Sequence, residues 1–360
     1  MLISIFASVW AWNLGDELIL KNEICILKEQ YKENNPKFIV YSYDLDDIFF
    51  EDESVEYREY FPVDIKNPKK ILKNIKNFFV FLKYTFLSDL IVIWWGWLFF
   101  DNEVWNKKNP LDLWVFRMKI FNFLLKKIYF FRIWLSIKQE NSFEKIYKIF
   151  SGKRKKIELR DNYSKKILED LGIKNIKKNY DPVFNDNPLA PLSGGIKCSS
   201  SPDKGNWWVV NKKISIKKVF KNFSLKDLEN IDFENKKVWL ALRSWYLTKN
   251  SNPEMEILLI KEIIEFLQKS GAKVILLPHS FHKTDILSND FKWMEYIQSK
   301  TQNVWITKSM QETYKVYTEK KVDIILAQRL HSIILSQVYE IPFVWISYSK
   351  KTSEVLKELK

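Results

Sequence analysis

An arginine and a histidine stand two residues apart in AQRLHSIILSQVYEIPFVWISYSKK, as Arg329 and His331, where a short apolar strand gives way to an apolar helix. A guanidinium placed there can grip a carboxylate or phosphate with a planar fork of donors. An imidazole can hand over a proton near neutral pH, because its unperturbed pKa is about 6.5. Lys350 and Lys351 follow the next strand, from where either could return to the same place. Arginine, histidine and lysine converging on one spot suit an anionic substrate and an acid–base step. A histidine that opens a helix is also an ordinary capping or core residue, so this segment does not decide the matter alone.

Three further segments carry chemistry. In IELRDNYSKKILEDLGI, Arg160 ends a strand beside Asp161 and ahead of a helix. It can aim at an anion, or it can form a structural Arg–Asp pair. In WAWNLGDELIL, Asn13, Gly15, Asp16 and Glu17 form a short polar turn between a strand and a helix. Gly15 permits a tight backbone, and the helix start offers N–H groups to an anion; the plainer reading is a generic turn with Asp16 as N-cap. PHSFH holds the other two histidines, His279 and His282. No other evident metal ligands accompany them, which points to a substrate-contacting loop in place of a metal site.

The elements that must position these residues alternate. Strands are expected at Leu2–Val9, Lys37–Tyr43, Leu90–Ile93, Ile128–Ile133 and Lys155–Leu159, with helices at Asp16–Gln30, Pro68–Phe86, Leu111–Lys127 and after Asp161, ending at Gly172. The helix from Pro68 is basic, with apolar residues at helical spacing. From Asn185 to about Lys213 the chain turns rich in Pro, Gly, Ser and Asn and reads as a linker. A second series follows, with strands at Lys237–Leu242, Lys273–Leu277, Val322–Leu326 and Pro342–Ile346 and helices at Pro253–Gln268 and His331–Tyr339. The expectation is an α/β protein of two Rossmann-like domains, 1–184 and 214–360, with parallel sheets facing a cleft.

Composition narrows the class. The chain has 360 residues, 46% of them hydrophobic, enough for two cores. No apolar run reaches the roughly 18 residues of a membrane span. The N-terminus lacks a basic n-region and reads as a first strand. Two cysteines, Cys25 and Cys198, exclude a disulfide framework. These features point to a cytosolic enzyme. The net charge of +14 comes from 51 lysines and only seven arginines. That excess, alongside abundant Asn, Ile and Phe, fits A/T-rich coding and gives no call for a nucleic-acid partner. It is also compatible with weak attraction to an anionic membrane.

Taken in order, the segments resemble the polysaccharide pyruvyl transferase family, whose pattern runs GxGN-x-GDE, GGG-x-L-x-x-D, RD-x-x-S-x-x-x-L-x-x-x-G, DP-x-F, then R-L-H followed by P and Y-x-x-K. The resemblance spans nearly the whole chain and is most specific at its last segment. It implies a GT-B-like architecture and transfer of the enolpyruvyl group of phosphoenolpyruvate to a sugar of a cell-envelope polysaccharide or its lipid-linked precursor. It places Arg160, Arg329, the backbone around Leu330, His331 and Lys350 at the donor, with Lys351 as an alternative to Lys350. His331 becomes the candidate general acid. Asn13, Gly15, Asp16 and Glu17 fall on the acceptor side, with Gly96 and Asp101 in a loop. No cofactor beyond the donor is implied. A nucleotide-sugar glycosyltransferase of GT-B type is the competing reading.

Departures from the pattern follow one rule. Trp10, Trp12, Trp94, Trp95 and Trp97 stand where it has glycine, and Trp134 and Trp345 stand where a small residue is expected. The chain has 8 glycines and 15 tryptophans, where average usage of about 7% would give about 25 glycines. The two counts together come close to the glycine expectation alone. The reading is that many of these tryptophans are UGA codons decoded as glycine. Literal tryptophans would crowd the loops and point to an inactive glycan- or membrane-binding relative.

Overall fold

The computed structural model describes residues 1–9, 12–42, 45, 48–61, 71–94, 99, 101, 110–137, 139–179, 181–185, 218–219, 228–229, 231–243, 253–283 and 289–347. Trp10, Trp95, Gly96, Trp97, Lys350, Lys351 and the expected linker beyond Asn185 lie outside them. The described chain forms two compact units. One holds Met1–Ala11 and Asp16–Pro182; the other takes Trp12–Gly15 together with the described chain from Val183 on.

The first unit is a seven-stranded parallel sheet in the order β3-β2-β1-β4-β5-β6-β7. Its strands are β1 (Leu2–Val9), β2 (Lys37–Ser42), β3 (Val55–Glu59), β4 (Leu90–Trp94), β5 (Lys127–Ile133), β6 (Lys155–Leu159) and β7 (Ile176–Lys178). The helices are α1 (Leu14–Gln30, its first two residues counted with the other unit), α2 (Ile71–Leu87), α3 (Pro110–Phe123), α4 (Glu140–Phe150) and α5 (Asn162–Asp170). β4 is buried along its whole length, as expected of a parallel strand covered on both faces. Aromatic rings fill one face: Phe6 stacks on Tyr41 at 4.4 Å, and Phe81 of α2 meets Phe121 of α3 at 6.0 Å. Arg117 is buried between the rings of Tyr60 and Trp114, 4.6 and 4.7 Å away, and donates to the Phe61 carbonyl.

The second unit is a six-stranded sheet in the order β11-β10-β9-β12-β13-β8, again with parallel pairs. It comprises β8 (Lys218–Val219), β9 (Lys237–Ala241), β10 (Lys273–Leu276), β11 (Trp305–Ile306), β12 (Ile324–Ala327) and β13 (Phe343–Ser347). Its helices are α6 (Pro253–Lys269), α7 (Asp290–Ser299), α8 (Met310–Thr318) and α9 (Leu330–Val338). Strand order reverses between β9 and β12, and such a switch point is where sheets of this kind bind ligands, beyond the strands' C-terminal ends.

Several expectations need correction. β4 takes in Trp94, which is wholly buried as its last residue and does not begin the loop. The third helix stops at Phe123; Leu125 takes a positive φ of 54° and Lys127 already belongs to β5. β3, α4, α8 and the short strands β7, β8 and β11 were not foreseen; the helix around Trp293 was expected and is α7. Turns needing a left-handed residue often use asparagine: Asn35, Asn175, Asn235 and Asn303 have φ between 44° and 62°, a region asparagine tolerates better than most residues.

Glu23 of α1 is fully buried, and neither carboxylate oxygen has a hydrogen-bond partner. Burial raises its pKa well above the ordinary 4.5, with Arg132 opposing the rise. A carboxyl with a raised folded-state pKa contributes its stability below the unfolded value and loses it as pH rises through the folded one. Glu23→Gln is therefore expected to raise the melting temperature at pH 7, by an amount that shrinks as pH falls toward about 4.5. Melting curves across this range check it; a pH-independent difference would contradict the burial argument.

Candidate active site

α9 is built to be buried: Ile333, Ile334, Leu335 and Val338 are interior, and so are the small Ser332 and Ser336. Its N-cap is Arg329, in extended conformation and without a side-chain cap bond. The turn therefore leaves the sheet at the switch point, where Gln328 and Arg329 both donate backbone N–H groups to the Ala241 carbonyl of β9 (2.9 and 3.4 Å).

The Arg329 guanidinium is held by Asp290, the first residue of α7. Nε donates to Oδ2 at 2.9 Å and Nη2 to Oδ1. Asp290 is wholly buried and also accepts the His279 backbone N–H at 3.3 Å. Asn289, just before it, caps α7 by accepting from Lys292 N (2.9 Å) and ties back to the His282 carbonyl (2.8 Å). One carboxylate thus joins the start of α7, the segment after β10 and the start of α9.

His331 lies two residues into the same turn. Within this unit its ring packs on Gly15: a Cβ at position 15 would overlap the imidazole. The approach is prepared by Asn13, whose Oδ1 accepts the Gly15 N–H at 3.0 Å. Asn13 pairs antiparallel with Ser280, and bonds Leu14 N to His279 O (2.9 Å) and Phe281 N to Trp12 O (2.7 Å) flank that bridge. The cap of α1 is accordingly Asn13, not Asp16. Asp16 and Glu17 occupy the first helical turn, where the helix dipole favours acids.

His279 is interior, which overturns its reading as a substrate-contacting loop residue. Its Nε2 shares a 2.8 Å hydrogen bond with Tyr317, whose hydroxyl pairs with Ser332 of α9 at 2.7 Å. Burial foremost, then the charges of Arg329 and His331, push its pKa well below the usual histidine range. It is a neutral prop beneath the Arg329–His331 turn. His282 meets the Trp12 ring at 4.5 Å. Among the described residues no group of three or more His, Cys, Asp or Glu could hold a metal ion.

The remaining candidates lie in the first unit. Arg160 follows β6 and is buried against Asp181, Nη1 to Oδ2 at 2.5 Å. This joins the RD and DP segments of the sequence. The structural pair is thus with Asp181 and not the neighbouring Asp161, which caps α5 by accepting from Ser164 N and Oγ (both 2.7 Å). Asp101 is buried and accepts the Gln139 N–H at 2.6 Å, while its carbonyl accepts from Gln139 Nε2 at 2.9 Å. The structure brings Asn13, Gly15, Arg329, Leu330 and His331 together in one unit. Asp290 and Tyr317 were missed, and Asp181 was marked only by the DP-x-F segment and not as the partner of Arg160; nothing in local spacing announces partners so distant in sequence.

Two doubly wound units of this kind define a GT-B-like fold. The fold is shared, at TM-score 0.52 and 10% identity, with a putative UDP-N-acetylglucosamine 2-epimerase from Listeria monocytogenes, over 99% of this chain and 81% of that one. Anabaena HepE, solved with UDP and glucose, is similar over 99% and 88% of the two chains, with 10% identity and a TM-score of 0.49. Comparison with curated proteins found no match. The family model for polysaccharide pyruvyl transferase matches residues 13–350. The chain belongs to that enzyme family.

The Gly15–His331 approach yields a direct test. Gly15→Ala is expected to destabilise the protein by about 1–3 kcal/mol, the usual cost of overpacking. His331→Ala in the same chain should recover most of that loss in a denaturant-unfolding cycle. An equal loss with and without His331 would mean that the overlap is not the cause.

Proposed function

We propose that the protein transfers the enolpyruvyl group of phosphoenolpyruvate to a sugar of a cell-envelope glycan or its lipid-linked precursor, closing a pyruvate ketal. The observation that carries this reading is the placement of Arg329 and His331 in one turn at the N-terminus of α9, in a chain of this family. The donor bears a carboxylate and a phosphate. Arg329, its plane fixed by Asp290, and the backbone at Leu330 offer donors to one such group. Arg160 and Lys350 or Lys351 are proposed for the other, and no further cofactor is required.

His331 protonates the methylene carbon of the donor, making a methyl group and leaving positive charge at C2. One sugar hydroxyl adds there and gives up its proton. The C2–O bond to phosphate then breaks, and the second hydroxyl closes the ketal. Of the two hydroxyl protons, one in effect replaces the proton spent on the methyl group and the other leaves with phosphate. Asn13, Gly15, Asp16 and Glu17, with Gly96 and Asp101, are proposed to line the acceptor side. His279, neutral beside His331, adds no competing positive charge. Its bond to Tyr317 leads to Ser332, next to the acid.

The tryptophan pattern belongs to the same reading. The indole N–H groups of Trp94 and Trp345 are buried with no hydrogen-bond partner. Buried indoles usually find one, and an unmet donor costs about 1–3 kcal/mol. This supports glycine, decoded from UGA, at many of these positions in the native protein. Intact mass of the natively expressed protein and the codons of its gene test it. UGG at Trp94, Trp95 and Trp97, with a mass matching 15 tryptophans, would overturn it.

For the chemistry, His331→Ala is expected to lower phosphate release by about 100-fold or more. Binding of phosphoenolpyruvate, read by thermal shift, should stay within about threefold. Normal turnover by that variant would remove His331 as the acid. Stabilisation by nucleotide sugars with no response to phosphoenolpyruvate would favour the glycosyltransferase reading, which rests on the fold alone.

A further inference from the structure

Helix α2 presents two faces. Asn77, Phe81 and Thr85 turn inward, Phe81 into the aromatic cluster with Phe6 and Tyr41. The opposite face carries Leu72, Ile75, Phe79 and Phe86, spaced by three, four and seven residues, which is one stripe of a helix. Leu72 is 81% exposed, Phe79 64% and Phe86 67%. The stripe continues beyond the helix. Lys126 donates to the Phe86 and Ser88 carbonyls at 2.6 and 2.8 Å, tying the end of α2 to the turn after α3. That turn and the end of α3 expose Leu125, in its positive-φ conformation, and Phe123, at 85%.

Large apolar side chains contiguous on a surface mark an interaction site. The charges around these say with what. α2 contains no acidic residue. Lys76 and Lys83 are exposed on it, Lys119 is exposed on α3, and Lys127 follows the turn. Protein interfaces are depleted of lysine at their centres. Helices lying in a lipid interface place lysines beside an apolar stripe, their stems along the hydrocarbon and their ammonium groups among anionic headgroups.

We infer that the outer face of α2, with Phe123 and Leu125, docks this protein on an anionic lipid bilayer, apolar stripe inserted and lysines on the headgroups. The surface lies wholly in the first unit, shares no residue with the Arg329–His331 turn, and does not depend on the donor chemistry proposed above. No helix among the described residues is long and apolar enough to cross a membrane, so the contact is peripheral.

Flotation with vesicles tests this on the full chain. Binding to phosphatidylcholine vesicles containing about 30% phosphatidylglycerol is expected to exceed binding to pure phosphatidylcholine by about tenfold. It should weaken as salt rises from about 0.1 M to about 0.5 M. Phe79→Ser with Phe86→Ser, and separately Lys76→Glu with Lys83→Glu, should each reduce binding by about tenfold while the melting temperature and phosphate release with a soluble acceptor stay unchanged. Failure to float, indifference to lipid charge, or retention of binding by both variants would overturn the inference. So would a stable dimer in light scattering that Phe79→Ser with Phe86→Ser returns to monomer, because the stripe would then belong to a second copy.

Discussion

A single buried carboxylate organises the second unit. Asp290 has no exposure to water, so its charge must be met by a cation and by hydrogen bonds, or the fold would have to neutralise it. Arg329 supplies two parallel donors and the backbone of His279 a third. Satisfying that one group fixes where α7 begins, how the chain leaves β10, and the angle at which α9 departs from β12. Removing either partner of such a pair costs about 3–5 kcal/mol, because the other is left buried and unmet. The position of His331 is a consequence: it is two residues along a helix whose first turn is already pinned.

The second constraint is steric. Gly15 is not in a left-handed turn, where glycine is usually demanded; it is glycine because an imidazole occupies the space a side chain would take. The capping bond from Asn13 and the bridge to Ser280 bring the backbone to that distance. Asn13 and Gly15, more than 300 residues before the R-L-H segment in sequence, therefore act with it as one feature of the second unit. His279 supports them from below through Tyr317 and Ser332, as a neutral group in a place too dry and too close to other cations to hold a proton.

Much of the scaffold was legible in the sequence because parallel strands covered on both faces read as unbroken apolar runs. β1 falls where such a run predicts, and β4 does so one residue longer. β3 was missed because its sequence, VEYRE, lies at a sheet edge and alternates charges with apolar residues. α8 was missed because it is only nine residues long behind its cap, Ser309. Residues of the candidate site were legible as types: an arginine, a histidine, a glycine in a polar turn. Their partners were not. Asp290 and Asp181 look like ordinary helix-start and loop acids until the fold sets an arginine against each. The reading of His279 failed for a related reason, since a polar loop sequence says nothing of the helices packed over it.

The asparagines at positive φ carry a consequence for the protein's ageing. Asparagine is among the heat-labile residues, and hydrolysis of its side-chain amide leaves aspartate. Aspartate tolerates the left-handed conformation as asparagine does, so Asn35, Asn175, Asn235 and Asn303 can each be converted without unmaking the turn. Every such event lowers the net charge of +14 by one. Old molecules of this protein would differ from new ones in charge before they differ in shape, and would separate by ion exchange while still folded.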